Sequence, residues 1–548
     1  MLIDGCYIQY VKHFCLSLNS LGWFNRTEKR SLTLIWSVKE KERVEWMENF
    51  TSRCTTWTTT TLNRPFKYQN SFMTRNMLRR FSAQCGKLRD KNSFLQRQNR
   101  LTIAIETSCD DTSVAVLEKH ANNSATLHFH SKITSDNRAY GGIHPLAAHE
   151  SHQKNLTRLL NLALERLPKP DEEASQSHEI LQNTLILGNR LVRKPHFVTV
   201  TRGPGMRASL ITGIDTAKGL AVGLQVPLLG VNHMQAHALT PRLISAINGS
   251  VSDNSCIEIG PKFPFLSLLI SGGHTMLVLS RSILDYTILA NTNDLALGDM
   301  LDKSARAILP TLYSSQFSNV MYGRALEEFT FPRAAERHKY TPPKASPIAR
   351  GDSDQGYNWK ITPPYVCPGP EGMAKYANQF SFSGIGSKAR SIMEKSPNML
   401  DGERRCLAKC VMTVAFEHIG SRVLFALQRE ELSDIKTLVV SGGVASNQLL
   451  RTILRALLDT RGFPHVELVI PAPELCTDNA AMIAWTGIEM FEAGFSTDLS
   501  VTALKQWSID PKSDDGGILG VKGWIQSDKN QKRRSDYMLG YIPAMALE

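Results

Sequence analysis

The sequence predicts an α/β protein of two similar lobes that close on a reaction centre. One βαβ unit is plainly written: strand FVTVT from Phe197, a Gly-Pro-Gly turn at Gly203 to Gly205, then a helix. That helix sets Leu210, Ile211, Ile214, Ala217 and Leu220 at three- and four-residue steps. Two hairpins, LTIAIETSCDDTSVAVLEK from Leu101 and FPFLSLLISGGHTMLVLS from Phe263, each present a polar loop, which points to two related halves. His233 and His237, four apart in NHMQAH, share one helix face, and two imidazoles so placed can hold one divalent metal. A carboxylate from a distant element would complete such a site, so the metal would be held by closure of the fold.

Residues 1–100 read differently from the rest. They carry a Thr-rich patch (TTWTTTT) and many Lys and Arg, and from Met73 to Arg100 the only acid is Asp90. That is the composition of an organelle-import presequence, with Met77, Phe81 and Leu88 spaced for a short amphipathic helix; a disordered basic leader is the plainer alternative. At Leu101 the first hairpin begins. Its loop offers Glu106, Thr107, Ser108, Asp110 and Asp111: hydroxyls and amides for a phosphate, carboxylates for a cation or a proton. Asp and Ser also favour turns for their own sake. Residues 168–192 read as an insert. Gly223 and Pro227 should end the helix of the βαβ unit, and LLGV resumes the sheet.

The second hairpin carries Ser271, Gly272, Gly273, His274 and Thr275 at its tip. NDLALGDMLDKSARAIL follows as a helix bearing Asp299, Asp302 and Lys303, with Asp299 and Lys303 spaced to pair. Residues 310–375, rich in Pro, Gly, Ser and charge, read as a long loop or insertion. NQFSFSGIGSKAR reads as a strand and turn, and a helix follows at roughly 403–430. IKTLVVSGGVASNQLLRTILRALL is strand, glycine turn and helix, and the TDNAAMIAWTGIEMF segment ends on another helix. The expected division is a leader at 1–100, a first lobe at 101–233 joined by a returning helix at 480–508, a second lobe at 234–479, and a polar tail at 509–548.

Apolar residues make up 42% of the chain and charged ones 21%, the balance of a globular protein that can bury a large core. No apolar run approaches the roughly 18 residues of a membrane span. Lys and Arg number 63 against 51 Asp and Glu, a net charge of +12 that favours an anionic partner such as nucleic acid, though the basic leader supplies part of it. The cysteines are scattered without a CxxC, so neither a zinc ribbon nor a thioredoxin motif is suggested, and they read as reduced thiols. A metallopeptidase needs a glutamate after the first histidine of HxxxH; here that residue is Met234. A metal at this site would sooner orient a ligand or polarise an oxygen.

ETSCDDTSVAV, TRGPGMRASLITGIDTAKGLAVGLQVPLLGVNHMQAHAL, LLISGGHTMLV, LGDMLDKSA, FSFSG, SGGVASNQLLR and LCTDNAAMIA occur in this order. Together they resemble the TsaD family of tRNA threonylcarbamoyladenosine synthesis enzymes over roughly 101–510. SGGHT is similar to the bacterial and mitochondrial branch, where the cytosolic branch usually has SGGNT. The resemblance implies the actin-like ATPase fold, two α/β lobes around a cleft. It implies transfer of threonylcarbamoyl from threonylcarbamoyl-AMP to the exocyclic amine of the adenosine beside the anticodon of tRNA, with AMP leaving. A separate synthase would supply the adenylate, and the mitochondrial type would act as a homodimer in the matrix, with no membrane partner.

By the same resemblance His233, His237 and Asp478 would ligate one divalent cation per subunit, zinc or iron being the expected metals. Leu269, Ile270, Ser271, Gly272 and Gly273 would form the substrate loop, with Asp302, Ser446, Asn447 and Thr477 as further contacts. The family's YPGGPxIE falls at VMYGRALE, Val320 to Glu327, which assigns Gly323 and Glu327 to substrate while Tyr322 and Arg324 depart from the pattern. FSFSG runs on as IGSKAR where the family usually has LKTA. Glu106 or Asp110 is expected to receive the proton of the attacking amine. Lys388, Arg390, Arg404 and Arg405 are expected to grip the tRNA backbone. A small-molecule kinase or ATPase of the same fold, and a metallopeptidase, are the alternative functions.

Overall fold

The computed structural model describes residues 98–140, 142–170, 183–250, 255–310, 322–333, 339–343, 357–365 and 375–526. The leader up to residue 97, part of the insert at 168–192, most of the 310–375 insertion including Val320 and Met321, and the end of the tail lie outside these residues.

β1 (Arg100–Glu106) and β2 (Asp111–Lys119) are rich in Ile, Val and Ala and buried along nearly their whole length, as strands covered on both faces must be. They pair antiparallel from Arg100↔Lys119 to Glu106↔Ser113, and β3 (Ala125–Thr134) continues the meander. After α1 (Pro145–Glu165) and a small hairpin of β4 (Thr184–Leu187) and β5 (Arg190–Arg193), β6 (Phe197–Gly203) joins β1 in parallel. The crossover α2 (Arg207–Leu224) leads to β7 (Leu228–Asn232), parallel to β6. α3 (His233–Ile247) starts without an intervening loop, because Asn232 caps it by accepting from the amides of Met234 and Gln235.

The second half repeats this plan. β8 (Phe265–Ile270), β9 (Thr275–Ser280) and β10 (Tyr286–Thr292) form an antiparallel meander. α4 (Leu297–Ile308), α5 (Tyr322–Thr330), a short β11 (Gln379–Phe380), α6 (Ser383–Lys395) and α7 (Asp401–Leu427) follow. β12 (Thr437–Ser441) then lies parallel beside β8, α8 (Gln448–Thr460) crosses over, and β13 (Glu467–Val469) lies parallel beside β12. The first sheet contains the order β3-β2-β1-β6-β7 and the second β10-β9-β8-β12-β13. In each, three antiparallel strands are followed by two parallel ones, so the similarity of the two hairpin loops extends to whole sheets.

α9 (Pro473–Cys476) and α10 (Ala480–Glu492) close the second half and return to the first. α3 and α10 pack on each other and are buried over most of their length. Their core cluster takes Ala104, Ala115 and Leu117 from the first sheet and Leu269, Val278 and Val439 from the second. Each such aliphatic side chain, fully withdrawn from water, contributes roughly 1.5–3 kcal/mol for the larger residues. α7 is long and apolar enough to cross a membrane, but most of it, from Leu407 to Leu427, is buried inside the protein, which makes it a core helix.

Several expectations are corrected. The FSFSG segment is not a strand and turn: only Gln379–Phe380 is extended, and α6 begins at Ser383. The cause is remote, since Asp294 accepts from the amides of Phe382 and Ser383 and from the hydroxyls of Ser381 and Ser383, capping the helix from another segment. α2 runs through Gly223 and ends at Gln225, which adopts the left-handed conformation (φ 51°). The returning helix stops at Glu492, not near 508, and β14 (Phe495–Thr497) follows. The stretch read as a tail from 509 holds β15 (Trp524–Gln526), which pairs with β14 on the edge of the first sheet. Ile509 and Ile518 are buried there, and Trp507 Nε1 donates to Gly517 O. The stretch shows no period because turns organise it: Asp515 accepts from Ser508 N and Gly517 N.

Candidate functional site

The first turn of α3 brings His233 and His237 to one face, both buried, and the turn between α9 and α10 brings Asp478 to them. His237 Nε2 lies 3.2 Å from His233 Nε2 and 3.1 Å from Asp478 Oδ1, and His233 Nε2 lies 3.4 Å from the same oxygen. A zinc-like ion with ligands at 2.0–2.1 Å in tetrahedral geometry needs neighbouring ligand atoms about 3.3 Å apart. The donor set and its spacing therefore fit a divalent cation without rearrangement. Asn479 locks the carboxylate-bearing turn: its side chain caps α10 at Met482 N and donates to the carbonyls of Leu475 and Thr477.

The far nitrogen of His233 faces the first hairpin. Its Nδ1 is 3.3 Å from Glu106 Oε2 and 3.2 Å from Ser108 Oγ. Glu106 is wholly buried and is itself fixed by Ser108 N at 2.5 Å and by the Thr201 hydroxyl. Burial opposes a charge on His233, yet Asp478 and Glu106 outweigh it and raise its pKa to about 10. His237, buried beside that charge, is held below the ordinary histidine value. Burial works against the Asp478 carboxylate, but His233 above all holds its pKa well below the usual range. In the absence of a cation the cluster thus keeps a proton on His233, which an incoming metal must displace.

Glu106 and Asp110 differ in what they can reach. Glu106 acts on His233 from inside the protein and has no exposed surface, so the expected role of proton acceptor does not fit it. Asp110 is partly exposed at the loop. Burial, with Asp111 and Asp478 nearby, raises its pKa to about 7, in the range suited to a general base. Asp111 accepts from Lys132 Nζ at 2.9 Å and from the Thr134 hydroxyl at 2.5 Å.

The residues assigned to the substrate loop divide by depth. Leu269 and Ile270 end β8 with side chains in the core, leaving only their backbone to a ligand. Ser271 is half-buried, and its hydroxyl accepts from Gly273 N and His274 N. Gly272 and Gly273 are exposed. A Cβ on Gly298, in the first turn of α4, would lie 2.6 Å from Ser271 O, and one on Gly442 (φ 98°) only 2.3 Å from Ile270 O. The two glycine turns therefore touch backbone to backbone, an approach no larger residue allows. Burial, followed by the charge of His233, lowers the pKa of His274 to about 4, so that it is neutral.

Gly323 and Glu327, from the segment where Tyr322 and Arg324 depart from the family pattern, each make a defined contact. Gly323 N donates to Asp302 Oδ1 at 2.9 Å, and burial raises Asp302 to about 6. Glu327 accepts from Gln448 N and Leu449 N at the start of α8, where Asn447 caps Leu450 N. Ser446, exposed, donates to Gly443 O. Asp302 is thus joined to Gly323, and Glu327 to the Ser446–Asn447 turn. Thr477 accepts from Lys132 Nζ at 2.8 Å, a lysine that reading the sequence did not single out.

Two members of the basic cluster already have partners within the fold. Arg404 donates to the carbonyls of Met399, Ile308 and Pro397, and Arg405 donates to Phe329 O with its guanidinium over the Phe329 ring. These two arginines tie helices together; Lys388 and Arg390 remain exposed on α6. The thiols of Cys109 and Cys476 are free, as read from the sequence, and burial raises the pKa of both.

Residues 178–485 match the family model described as TsaD: tRNA N6-adenosine threonylcarbamoyltransferase. The chain is 37% identical over 449 residues to the mitochondrial tRNA N6-adenosine threonylcarbamoyltransferase of Schizosaccharomyces pombe, covering 80% of this chain and 92% of that one. It is 30% identical over 417 residues to the Methylocapsa acidiphila enzyme of that name (75% and 97% covered) and 31% over 420 residues to the Brucella anthropi one (75% and 96%). With two α/β halves of one strand order and a match of this extent, the chain belongs to the TsaD family of acyltransferases, the tRNA N6-adenosine threonylcarbamoyltransferases, and has its two-lobed actin-like fold.

Proposed function

We propose that this chain transfers the threonylcarbamoyl group of threonylcarbamoyl-AMP to the N6 amine of the adenosine beside the anticodon of tRNA, in the mitochondrial matrix. The observation that carries the reading is the convergence of His233, His237 and Asp478 from elements 241 residues apart, beside a hairpin loop and two touching glycine turns. In the reaction the amine nitrogen bonds to the carbamoyl carbon, the carbon–oxygen bond to phosphate breaks, and AMP leaves with the electron pair. AMP is a good leaving group, so positioning supplies much of the rate.

A divalent cation held by His233, His237 and Asp478 would supply Lewis acidity towards an oxygen of the threonylcarbamoyl group; zinc and iron both suit two imidazoles and a carboxylate. Glu106 and Ser108 orient His233. Asp110 takes the proton of the attacking amine. The backbone of Leu269 to Gly273 and the open faces of Gly272 and Gly273 receive the acyl-phosphate, while Asp302, Gly323, Glu327, Ser446, Asn447 and Thr477 line the nucleotide side. The lobe division at 101–233 with the returning chain, and 234–479, sets the histidine pair at the hinge of the two halves. The chain works as a homodimer and receives its adenylate from a separate synthase. The mitochondrial name of the Schizosaccharomyces pombe relative and the acid-poor stretch from Met73 support the compartment.

The test is to incubate the full chain with unmodified tRNA, ATP, threonine, bicarbonate and an adenylate-forming synthase, and to read the nucleosides by mass spectrometry. Threonylcarbamoyladenosine should appear, and His237→Ala or Asp478→Ala should abolish it. No modified base in the presence of demonstrably active synthase would reject the reading.

A further inference from the structure

Asp478 is the one proposed metal ligand that α3 does not carry, and something must hold its turn at the correct distance from the histidines. The first sheet does so at two points. Ser113 and Lys132 are directly opposite each other in the β2–β3 ladder, so their side chains leave the same face. Lys132 Nζ donates to Thr477 Oγ1 at 2.8 Å, one residue before Asp478. Ala480 N donates to Ser113 Oγ at 3.0 Å, two residues after it. The pair is braced in turn. Lys132 also donates to Asp111 Oδ2 at 2.9 Å, Asp111 accepts from Thr134, its own cross-strand partner, and Ser113 donates to Ser131 O.

We infer that Lys132 and Ser113 are positioning residues that clamp the Asp478 turn from both sides and so set the affinity of the metal centre. The inference rests on the metal reading above. Lys132 suits the task because its ammonium can serve Asp111 and Thr477 at once, and its charge is balanced by the Asp111 carboxylate. A partly buried Lys–Asp pair alone would be a fold element. What makes this one a device of the site is the second donation, into the residue adjoining a ligand. Partners of metal ligands that fix orientation change metal affinity about 10–100-fold when removed.

The experiment measures zinc affinity of the full chain by competition with a chromogenic chelator, alongside thermal unfolding without metal. Lys132→Met and Thr477→Val should each weaken zinc binding about tenfold or more, while Thr477→Ser, which keeps the hydroxyl, should bind as the parent does. The double variant Lys132→Met/Thr477→Val should be no weaker than the worse single one, because both remove one bond. Ser113→Ala should weaken binding independently and add to either. His233→Ala/His237→Ala serves as the control for the metal reading: if it still binds zinc at full affinity, that reading fails. If the control loses zinc while Lys132→Met and Thr477→Val keep it, or if their effects add in full, the clamp alone is overturned. A variant that loses melting temperature but keeps zinc affinity when folded counts against the clamp in the same way.

Discussion

Glu106 Oε2 lies 3.3 Å from Nδ1 of His233, on the side of the ring away from Asp478. A buried carboxylate at that nitrogen fixes which tautomer the imidazole adopts and raises its basicity, leaving Nε2 to serve as the ligand. Glu106→Gln keeps the shape but removes the charge. It should weaken zinc binding about 10–100-fold by chelator competition, with a smaller change in thermal stability. Unchanged affinity would show that Glu106 is a fold residue only.

The proton on His233 sets a pH dependence. Its pKa in the folded protein without metal is about 10, above the unfolded value near 6.5. A pKa raised by folding stabilises the protein fully below the unfolded value. That contribution is lost as pH rises from about 6.5 through 10. Metal binding has the opposite sign, because the ion must displace the proton. Apparent zinc affinity should rise about tenfold per pH unit between roughly pH 7 and 9. In Glu106→Gln the His233 pKa falls, and the rise should level off at lower pH. Calorimetric titration across this range decides it; a flat profile would mean that His233 binds no proton in the free protein.

Much of this was legible beforehand. Periodicity gave the βαβ unit because the apolar face of α2 repeats every three or four residues, and the i, i+4 spacing put His233 and His237 together. Asp478 carries no local mark; only its place in an ordered set of motifs pointed to it. The contacts that tune the site were out of reach for the same physical reason. Lys132 and Ser113 meet Thr477 and Ala480 across more than 300 residues of chain, and Asp294 caps α6 from nearly 90 residues away. Such bonds depend on register between strands and on how elements pack. The arginine pair misled because composition marks charge but not its partner, and Arg404 spends its donors on carbonyls.

Asp110 should govern the acid side of the rate. A carboxyl whose pKa is about 7 is half protonated there, and only its ionised form accepts a proton. Turnover under saturating adenylate should therefore climb with pH through about 7 and level off above it. Asp110→Asn should lower kcat about 10²–10⁴-fold and abolish the climb, leaving KM for tRNA near that of the parent. A full-strength climb in Asp110→Asn would move the role to another group.

Arg404 should behave as a structural residue. Its guanidinium serves three carbonyls on two segments, Ile308 O at the end of α4 and Pro397 O and Met399 O in the turn before α7. Arg404→Ala should cost about 1.5–3 kcal/mol in denaturant unfolding. The slope of tRNA affinity against salt should stay that of the parent, since no phosphate contact is lost. A slope reduced by about one would restore Arg404 to the tRNA surface.

Glu327 gives the sharpest separation between a cap and a substrate contact. Its carboxylate accepts the first amides of α8, next to the Ser446–Asn447 turn proposed to meet the nucleoside. An anion at a helix N-terminus is favoured both by the unpaired amides and by the helix dipole. Glu327→Ala removes both and should destabilise the protein by about 1–2 kcal/mol. With the cap gone, Ser446 and Asn447 lose their seat, so KM for the adenylate should rise while kcat changes less. Glu327→Asp, one methylene short of α8, should fall between the two. If Glu327→Ala raises KM with no loss in unfolding free energy, the carboxylate touches substrate directly and its capping of α8 is incidental.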